Sequence, residues 1–260
     1  MSINLLFDID GTLISEGIPF PGVLNAFNRL AAEPTVNIYL ISNNTSRSVN
    51  STYEKVSQLG FKISPENIIT PEHVFLDYLS IHGIDNVRVL CNNELLNSMR
   101  RSAPSNVNLV STTPKAVVVG FDTELTYQKL AELRYYFGDS AIQLWALHLD
   151  KFCPDGRYKL PDCGSIVALI ETAFGIKYSL SFGKPSDLMS EYIKRKIKSL
   201  DNSYYIGDRL STDMAFANKI GVTGIWVQTG DKSEEGLTQL IDIVTFKSST
   251  EFMNKILSQL

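Results

Sequence analysis

Short apolar runs that end abruptly at polar residues recur along the chain and alternate with segments of helical periodicity. Ile3–Phe7 and Asn37–Ile41 are two such runs, and each predicts a buried strand. Apolar residues at helical spacing follow both strands, over 23–30 and over 49–59. The order β-α-β-α is typical of a doubly wound parallel sheet, so we expect an α/β fold.

The same pattern returns near the C-terminus. Two further strands are predicted at Ser203–Ile206 and Gly224–Val227, with a helix over 212–220 between them. A short strand at Ile243–Thr245 and a helix from residue 249 onward complete this block. We therefore expect both ends of the chain to contribute to one α/β core.

The segment between these two blocks has strands and helices of its own. Strands are predicted at Val87–Leu90, Ala116–Gly120 and Gln143–Leu147, and helices near 126–136 and 164–174. A second α/β domain therefore interrupts the first.

The chain length agrees with two domains. A length of 260 residues is long for one ordinary domain but suits two small ones. We predict a discontinuous core over 1–74 and 182–260, and an inserted domain over 75–181.

The composition excludes several classes of protein. The net charge is only −4, whereas a protein that binds nucleic-acid phosphates would show a basic excess. No run approaches the roughly 18 apolar residues of a membrane span, and Asp8 interrupts the N-terminal apolar run of a would-be signal peptide. The three cysteines, Cys91, Cys153 and Cys163, lack the spacing of a disulfide framework or zinc site. We expect a cytoplasmic protein with neither a nucleic-acid nor a membrane partner.

Two carboxylates follow the first predicted strand, in the sequence Asp8-Ile9-Asp10-Gly11-Thr12. Side chains at i and i+2 of an extended segment project to the same side, and the carboxyl end of such a strand faces the usual ligand crevice of an α/β sheet. Like charges so close together require a cation or a shared proton. The alternative is a solvated Asp-Gly turn.

Four more polar features lie at the ends of predicted strands or in adjoining loops. Ser42 and Asn43 precede a helix N-terminus, where hydroxyl and backbone N–H groups can bind an anion or simply cap the helix. Lys184 lies between glycine and proline, and the alternative for it is an ordinary solvated surface lysine. Asp208 follows a strand, and Asp213 falls in the first turn of the next helix, where capping is the alternative role.

Together, these residues suit the transfer of a phosphoryl group. A carboxylate can attack phosphorus and form an acyl phosphate, and a hard divalent cation such as Mg²⁺ can neutralise the crowded charge through oxygen ligands. A lysine and a hydroxyl can hold the remaining phosphate oxygens.

The same residues resemble the four ordered motifs of the haloacid dehalogenase superfamily phosphatases. The resemblance extends to the subgroup with a large α/β cap between the second and third motifs, which includes NagD-type and 4-nitrophenylphosphatase-like enzymes. It implies a Rossmann-like core over 1–74 and 182–260, with a cap over 75–181 that selects the substrate. The matching segments are Asp8-Ile9-Asp10-Gly11-Thr12, Pro21-Gly22, Ile41-Ser42-Asn43-Asn44, Val118-Val119-Gly120-Phe121-Asp122, Gly183-Lys184-Pro185 and Gly207-Asp208 with Asp213.

The resemblance implies a role for each motif residue. Asp8 would be the nucleophile and a metal ligand, and Asp10 would protonate the leaving group, activate the water and place its backbone carbonyl on the metal. Asp208 would bind Mg²⁺, and Asp213 would orient Lys184 or the groups around the metal. The residues expected to bind the transferring phosphoryl group are Gly11, Thr12, Ser42, Asn43, Asn44 and Lys184.

The presence of Asp10 favours a phosphatase over a dehalogenase, because protonation of the leaving group needs an acid beside the nucleophile. In the cap, Asp150 fits the family's Asn-x-Asp element, but His148 stands where asparagine is usual. Both are candidate substrate-binding residues, and the alternative for His148 is a core or surface histidine. The departure at His148 sets the chain apart from the family pattern at the position expected to select the substrate.

We therefore expect a Mg²⁺-dependent phosphatase acting on a small phosphorylated metabolite, with a sugar or polyol phosphate as first choice. A nucleoside monophosphate is the second choice. The third is a phosphotransferase or phosphomutase of the same superfamily, and the fourth is a non-catalytic binding module. The resemblance also implies a homodimer.

Overall fold

The computed structural model describes residues 2–138, 141–155, 158–230 and 243–260. It divides into two compact units. The first unit comprises Met1–Ser42, Ser51–Ile69 and Lys184–Leu260, and the second comprises Asn43–Asn50 and Thr70–Gly183. The assignment of a catalytic role to the first unit and of a substrate-selecting role to the second stays a prediction.

The strands, in chain order, are β1 (Ile3–Phe7), β2 (Ile14–Ser15), β3 (Ile18–Pro19), β4 (Val36–Ile41), β5 (Ile68–Ile69), β6 (Val87–Leu90), β7 (Ala116–Val119), β8 (Gln143–Ala146), β9 (Phe152–Asp155), β10 (Tyr158–Pro161), β11 (Tyr178–Ser181), β12 (Ser203–Gly207), β13 (Thr223–Val227) and β14 (Ile243–Phe246).

The helices are α1 (Val23–Ala31), α2 (Val49–Gln58), α3 (Pro71–Ile81), α4 (Asn93–Ser102), α5 (Tyr127–Glu132), α6 (Cys163–Phe174), α7 (Asp187–Lys196), α8 (Ala215–Ile220) and α9 (Ser249–Leu257). No helix in the described part of the chain is both long and apolar enough to cross a bilayer.

The first unit is built on a six-stranded parallel sheet, which confirms the predicted α/β fold. Its strand order is β14-β13-β12-β1-β4-β5, and β1 pairs in parallel with β12 on one side and β4 on the other. A central strand of a parallel sheet is covered on both faces, so β1 is apolar at nearly every position. Because the strands are parallel, their carboxyl ends share one edge, where Asp8, Ser42 and Asp208 follow β1, β4 and β12.

The core of the first unit depends on aromatic packing by helix α1. This helix buries an apolar stripe at helical spacing that includes Phe27. The ring of Phe27 lies 5.9 Å from that of Phe7 and 5.0 Å from that of Phe61, the latter edge to face. The N-terminal strand and helix that the sequence predicted are therefore fixed together by one aromatic cluster.

The second unit contains a four-stranded parallel sheet, in the order β11-β8-β7-β6, and a hairpin of β9 and β10. Strand β7 is buried at all four positions. Helix α6 shares an apolar cluster with β7 and β8, formed in part by Val117, Val119, Leu144, Ile166 and Ile170. The second unit therefore has a hydrophobic core of its own.

The structure differs from the sequence prediction in several elements. The helix predicted over 212–220 begins as a π-helical turn at Leu210–Met214 before α8. The helix predicted near 126–136 is the short α5, followed by a 3₁₀ turn at Leu133–Tyr135. Helices α3, α4 and α7 were not predicted. Helix α3 lies across the predicted boundary between residues 74 and 75, and the longer segment of the second unit runs from Thr70 to Gly183.

Replacement of the aromatic residue at the centre of the first core tests this packing. We expect Phe27→Ala to lower the free energy of unfolding by about 3–5 kcal/mol, because it removes buried surface and leaves a cavity. The measurement is urea denaturation followed by circular dichroism. Tyr127→Ala, at an 86% exposed ring, is the control and should change stability by less than about 0.5 kcal/mol. Similar losses in both variants would contradict the described core.

Candidate active site

A buried lysine joins the first and last motifs at the carboxyl edge of the first sheet. The Lys184 ammonium lies 2.8 Å from Oδ1 of Asp8 and 2.8 Å from Oδ1 of Asp213. It also donates to the backbone oxygen of Ile41 at 2.9 Å and to the Tyr205 hydroxyl at 2.7 Å. All five residues belong to the first unit. The Lys184 ammonium group therefore links the ends of β1 and β4 to β12 and to the turn that follows β12.

The charges of this cluster act strongly on one another. Burial by itself would lower the pKa of Lys184, but the carboxylates of Asp213 and Asp8 outweigh it and hold the pKa well above its usual range. Burial raises the pKa of Asp8 well above its usual range, and the charges of Asp213 and Asp208 add to that rise while Lys184 opposes it. The lysine therefore stays charged, and the carboxylates outnumber it.

The donor set of this cluster fits a divalent metal ion. Carboxylate oxygens of Asp8, Asp208 and Asp213 all lie within 4.8 Å of one another, and all three residues are buried. Three carboxylates face a single ammonium group, so a second cation would relieve the excess of negative charge. Hard oxygen ligands are those that Mg²⁺ and Ca²⁺ prefer.

Two glycines and a threonine surround the carboxylate of Asp208. A Cβ atom on Gly11 would lie 2.5 Å from Oδ2 of Asp208, and one on Gly230 would overlap the same carboxylate. Gly11 also has a φ of +91°, which side chains other than glycine rarely adopt. The Thr12 hydroxyl donates to Oδ1 of Asp208 at 3.3 Å. The Asp-Gly-Thr sequence after β1 therefore leaves room for this acidic group.

Asp10 has a partner that the sequence did not reveal. Its Oδ1 lies 3.0 Å from Nζ of Lys55 on helix α2, and its side chain is 43% exposed. A lone lysine on a helix normally belongs to a solvated face, so no pattern distinguished Lys55. Asp10 is thus held beside the buried cluster and remains open to solvent.

The motif after β4 is divided between the two units. Ser42 is buried, and its backbone N–H donates to the oxygen of Ile69 in the first unit. Asn44, in the second unit, accepts the backbone N–H and hydroxyl of Ser46 at 2.9 and 2.7 Å, which forms a tight local turn.

Asn43 and the two cap candidates lie together in the second unit. The Asn43 side chain donates to Oδ2 of Asp150 at 3.2 Å. His148 is fully buried, with Nδ1 3.6 Å from the same Oδ2. The structure therefore places His148 away from solvent.

The buried cysteines have the properties of packing groups. Burial raises the pKa of Cys91 to about 12, and it also raises that of Cys163. The Cys163 thiol donates to the backbone oxygen of Val119. Neither thiol is activated for nucleophilic chemistry.

Comparison with known proteins agrees with this geometry. The sequence model of the family described as haloacid dehalogenase-like hydrolase matches residues 5–103, and a second, HAD-hydrolase-like model matches residues 181–246. Rat chronophin is 30% identical over 245 residues, which cover 89% of this chain and 78% of that protein. The chain belongs to the haloacid dehalogenase-like hydrolase family.

Other members of this family with similar sequences or structures are phosphatases. A D-glycerol 3-phosphate phosphatase of Mycobacterium tuberculosis is 30% identical, over 88% of this chain and 64% of the relative. The crystal structure of a 4-nitrophenylphosphatase from Thermotoga maritima matches with a TM-score of 0.86 and 26% identity, over 97% of both chains. Both of these similar proteins are thus named as phosphatases.

A metal ion is present in one similar structure. The crystal structure of a glycerol phosphate phosphatase from M. tuberculosis in complex with calcium matches with a TM-score of 0.74 and 25% identity, over 88% of this chain and 67% of that chain.

The chain spans only part of the length of two curated relatives. It covers 50% of a relative from Caenorhabditis elegans and 64% of the D-glycerol 3-phosphate phosphatase of M. tuberculosis.

The buried lysine should be essential for stability as well as for the site. We expect Lys184→Met to lower the free energy of unfolding by about 3–5 kcal/mol at pH 7.5, because it leaves buried carboxylates without their counter-ion. The loss should shrink between pH 7.5 and pH 5, because burial raises the pKa of Asp8 and protonation of this carboxylate removes part of the uncompensated charge. Urea denaturation at both pH values measures this.

The matched control is Lys219→Met, which removes an ammonium group from the exposed pair with Asp187. Exposed pairs contribute about 0–1 kcal/mol. A Lys184→Met variant no less stable than this control would contradict the structural role of the buried cation.

Proposed function

We propose that this chain is a Mg²⁺-dependent phosphatase that works through an aspartyl phosphate on Asp8. The observation that carries the proposal is the buried ammonium of Lys184, which lies 2.8 Å from the carboxylates of Asp8 and Asp213. Asp208 lies in the same cluster. This combination suits a carboxylate nucleophile, a phosphate-binding cation and a metal site at one sheet edge.

In the first step, a carboxylate oxygen of Asp8 attacks phosphorus as the bond from phosphorus to the leaving oxygen breaks. Asp10 gives its proton to that oxygen, so that the product leaves as a neutral alcohol. Lys184 holds the Asp8 carboxylate and offers positive charge to the phosphoryl oxygens. Burial alone would lower its pKa, but Asp213 and Asp8 raise it, so the lysine is charged when substrate binds.

In the second step, water attacks the phosphorus atom of the aspartyl phosphate. Asp10 now takes a proton from the water, and the bond from phosphorus to the Asp8 oxygen breaks, which restores both carboxyl groups. Lys55 lies 3.0 Å from Asp10 and holds this carboxyl group in place.

The residues that would hold Mg²⁺ are Asp8, Asp208 and the backbone carbonyl of Asp10, while Asp213 orients Lys184. When bound, the ion neutralises negative charge on the phosphoryl group and on the carboxylates. The phosphoryl oxygens are proposed to bind Lys184, Ser42 and the groups that adjoin them in sequence. Those groups are Gly11, Thr12, Asn43 and Asn44.

The proposed substrate is a small sugar or polyol phosphate. The phosphatases to which the chain is similar include proteins named for glycerol phosphate, which supports a polyol phosphate. We propose that the second unit, with Asp150, selects the leaving group. A cytoplasmic location stays a prediction from the composition, and a homodimer stays a prediction from the family resemblance.

Replacement of the proposed nucleophile tests the reaction. We expect Asp8→Asn to lower kcat for 4-nitrophenyl phosphate by at least about a thousandfold, because an amide cannot form the acyl phosphate. Asp187→Asn makes the same change at a carboxylate that is 83% exposed and should retain full activity. Substantial hydrolysis by folded Asp8→Asn would exclude Asp8 as the nucleophile.

Metal dependence is tested through Asp208. We expect hydrolysis to stop in EDTA and to return with Mg²⁺. At a Mg²⁺ concentration of about 100 times its dissociation constant, binding should stabilise the folded state by about 2.7 kcal/mol. Asp208→Asn should need much more Mg²⁺ for the same rise in melting temperature. Full activity in EDTA, or an unchanged Mg²⁺ requirement in Asp208→Asn, would contradict the metal site.

A further inference from the structure

His148 occupies an unusual position for a histidine in the second unit. It follows β8 and is completely buried, and Nδ1 has no hydrogen-bond partner among the described residues. Carboxylates flank both ring nitrogens, with Nδ1 3.6 Å from Oδ2 of Asp150 and Nε2 3.5 Å from Oδ1 of Asp162. Burying such a polar ring costs free energy unless its neighbours compensate, so its contacts require an explanation.

One side of the ring meets the loop that follows Ser42. Nε2 lies 3.1 Å from the hydroxyl oxygen of Thr45, and that oxygen also accepts the backbone N–H of Phe121 at 2.9 Å. With the Phe121 N–H as donor, the Thr45 hydroxyl can give its own hydrogen to Nε2 of a neutral imidazole. In that tautomer the ring proton lies on Nδ1, which is 3.6 Å from Oδ2 of Asp150.

The other side of the ring leads back to the same loop. Oδ2 of Asp150, which faces Nδ1, accepts the Asn43 side-chain amide at 3.2 Å. His148 thus reaches Thr45 directly and Asn43 through Asp150. The His148 imidazole is therefore connected to both Asn43 and Thr45, which lie two residues apart in the same loop.

A glycine permits this close packing. A Cβ atom on Gly183 would lie 2.5 Å from Cβ of His148 and 2.7 Å from Oδ1 of Asn43. His148 and Asn43 therefore both pack against Gly183, where a side chain would have no room. Asp162 is a further neighbour of the His148 ring. At the start of α6, its Oδ1 accepts the backbone N–H of Cys163 over a distance of 2.6 Å.

We propose that His148 is a positioning residue, which orients the Asn43 side chain for phosphate through Asp150 and Thr45. Full burial keeps the imidazole from touching a substrate, so it acts through these neighbours. The inference rests on the proposed function, in which Asn43 binds the phosphoryl group.

The test compares substrate and phosphate affinity in His148 variants. We expect His148→Ala to raise KM for 4-nitrophenyl phosphate, and the inhibition constant of inorganic phosphate, by about tenfold, the effect of losing one hydrogen bond to a charged group. The value of kcat should change by less than about threefold, because Asp8, Asp10 and Lys184 are untouched. His148→Asn, whose amide nitrogen can take the place of Nδ1, should recover most of the loss.

A double-mutant cycle separates a positioning role from general damage. If His148 acts through Asn43, the His148→Ala change should add little to KM once Asn43→Ala is present. Ile170→Ala, at a fully buried position in the core of the second unit, is the control. It should lower the melting temperature and leave KM and phosphate inhibition unchanged.

The outcomes distinguish the inference from the function on which it depends. Unchanged KM and phosphate inhibition in His148→Ala, full additivity with Asn43→Ala, or an equal rise in Ile170→Ala would overturn the positioning role. If His148→Ala does not fold, His148→Gln replaces it, because the longer amide reaches only the Thr45 side of the ring. A KM for His148→Gln equal to that of wild type would then overturn the proposed link through Asp150. Absence of any phosphatase activity in the wild-type chain would instead overturn the proposed function.

Discussion

The ammonium group of Lys184 is the interaction on which the first unit's site depends. It is buried with two carboxylates, a backbone oxygen and a tyrosine hydroxyl at hydrogen-bond distance. A buried charge is stable only when its partners are in place, so the elements that supply them must come together in one arrangement. The parallel sheet provides that arrangement, because the ends of β1, β4 and β12 share an edge.

The same electrostatics explain why the site suits phosphoryl transfer. The cluster is short of positive charge, because three carboxylates face the single ammonium group of Lys184, and burial raises the pKa of Asp8. A divalent cation would correct this shortage and favour the ionised carboxylate of Asp8, the proposed nucleophile. Asp10 lies outside the buried cluster beside Lys55 and has 43% of its side chain exposed. Asp8 and Asp10 therefore have different surroundings, as their proposed roles of nucleophile and proton donor require.

The sequence predicted those parts of the fold that have a strong local pattern. Ile3–Phe7 was predicted with its observed bounds, because a covered central strand is apolar at nearly every position. Helix α3 was missed because it is buried on much of its surface, at Val74, Phe75, Leu76 and Leu79 among others, which weakens the amphipathic pattern. The π-helical turn at Leu210–Met214 has no sequence pattern that distinguishes it from the first turn of an ordinary helix.

The sequence predicted the site residues that have a distinctive functional group and also directly follow a predicted strand. Asp8 and Asp208 directly follow predicted strands, whereas Tyr205 lies within one and reads as an ordinary apolar position. Lys55 and the neighbours of His148 become visible only through tertiary contacts. His148 was a candidate for substrate contact by sequence position, and its complete burial is what suggests an indirect role.

The stereochemical course at phosphorus tests the central claim most directly. Attack by the Asp8 carboxylate and then by water comprises two in-line displacements, each of which inverts the phosphorus centre. Hydrolysis of a phosphorothioate ester made chiral with oxygen isotopes should therefore give thiophosphate with net retention of configuration. Net inversion would mean that water attacks the substrate in a single step, and would contradict an aspartyl phosphate on Asp8.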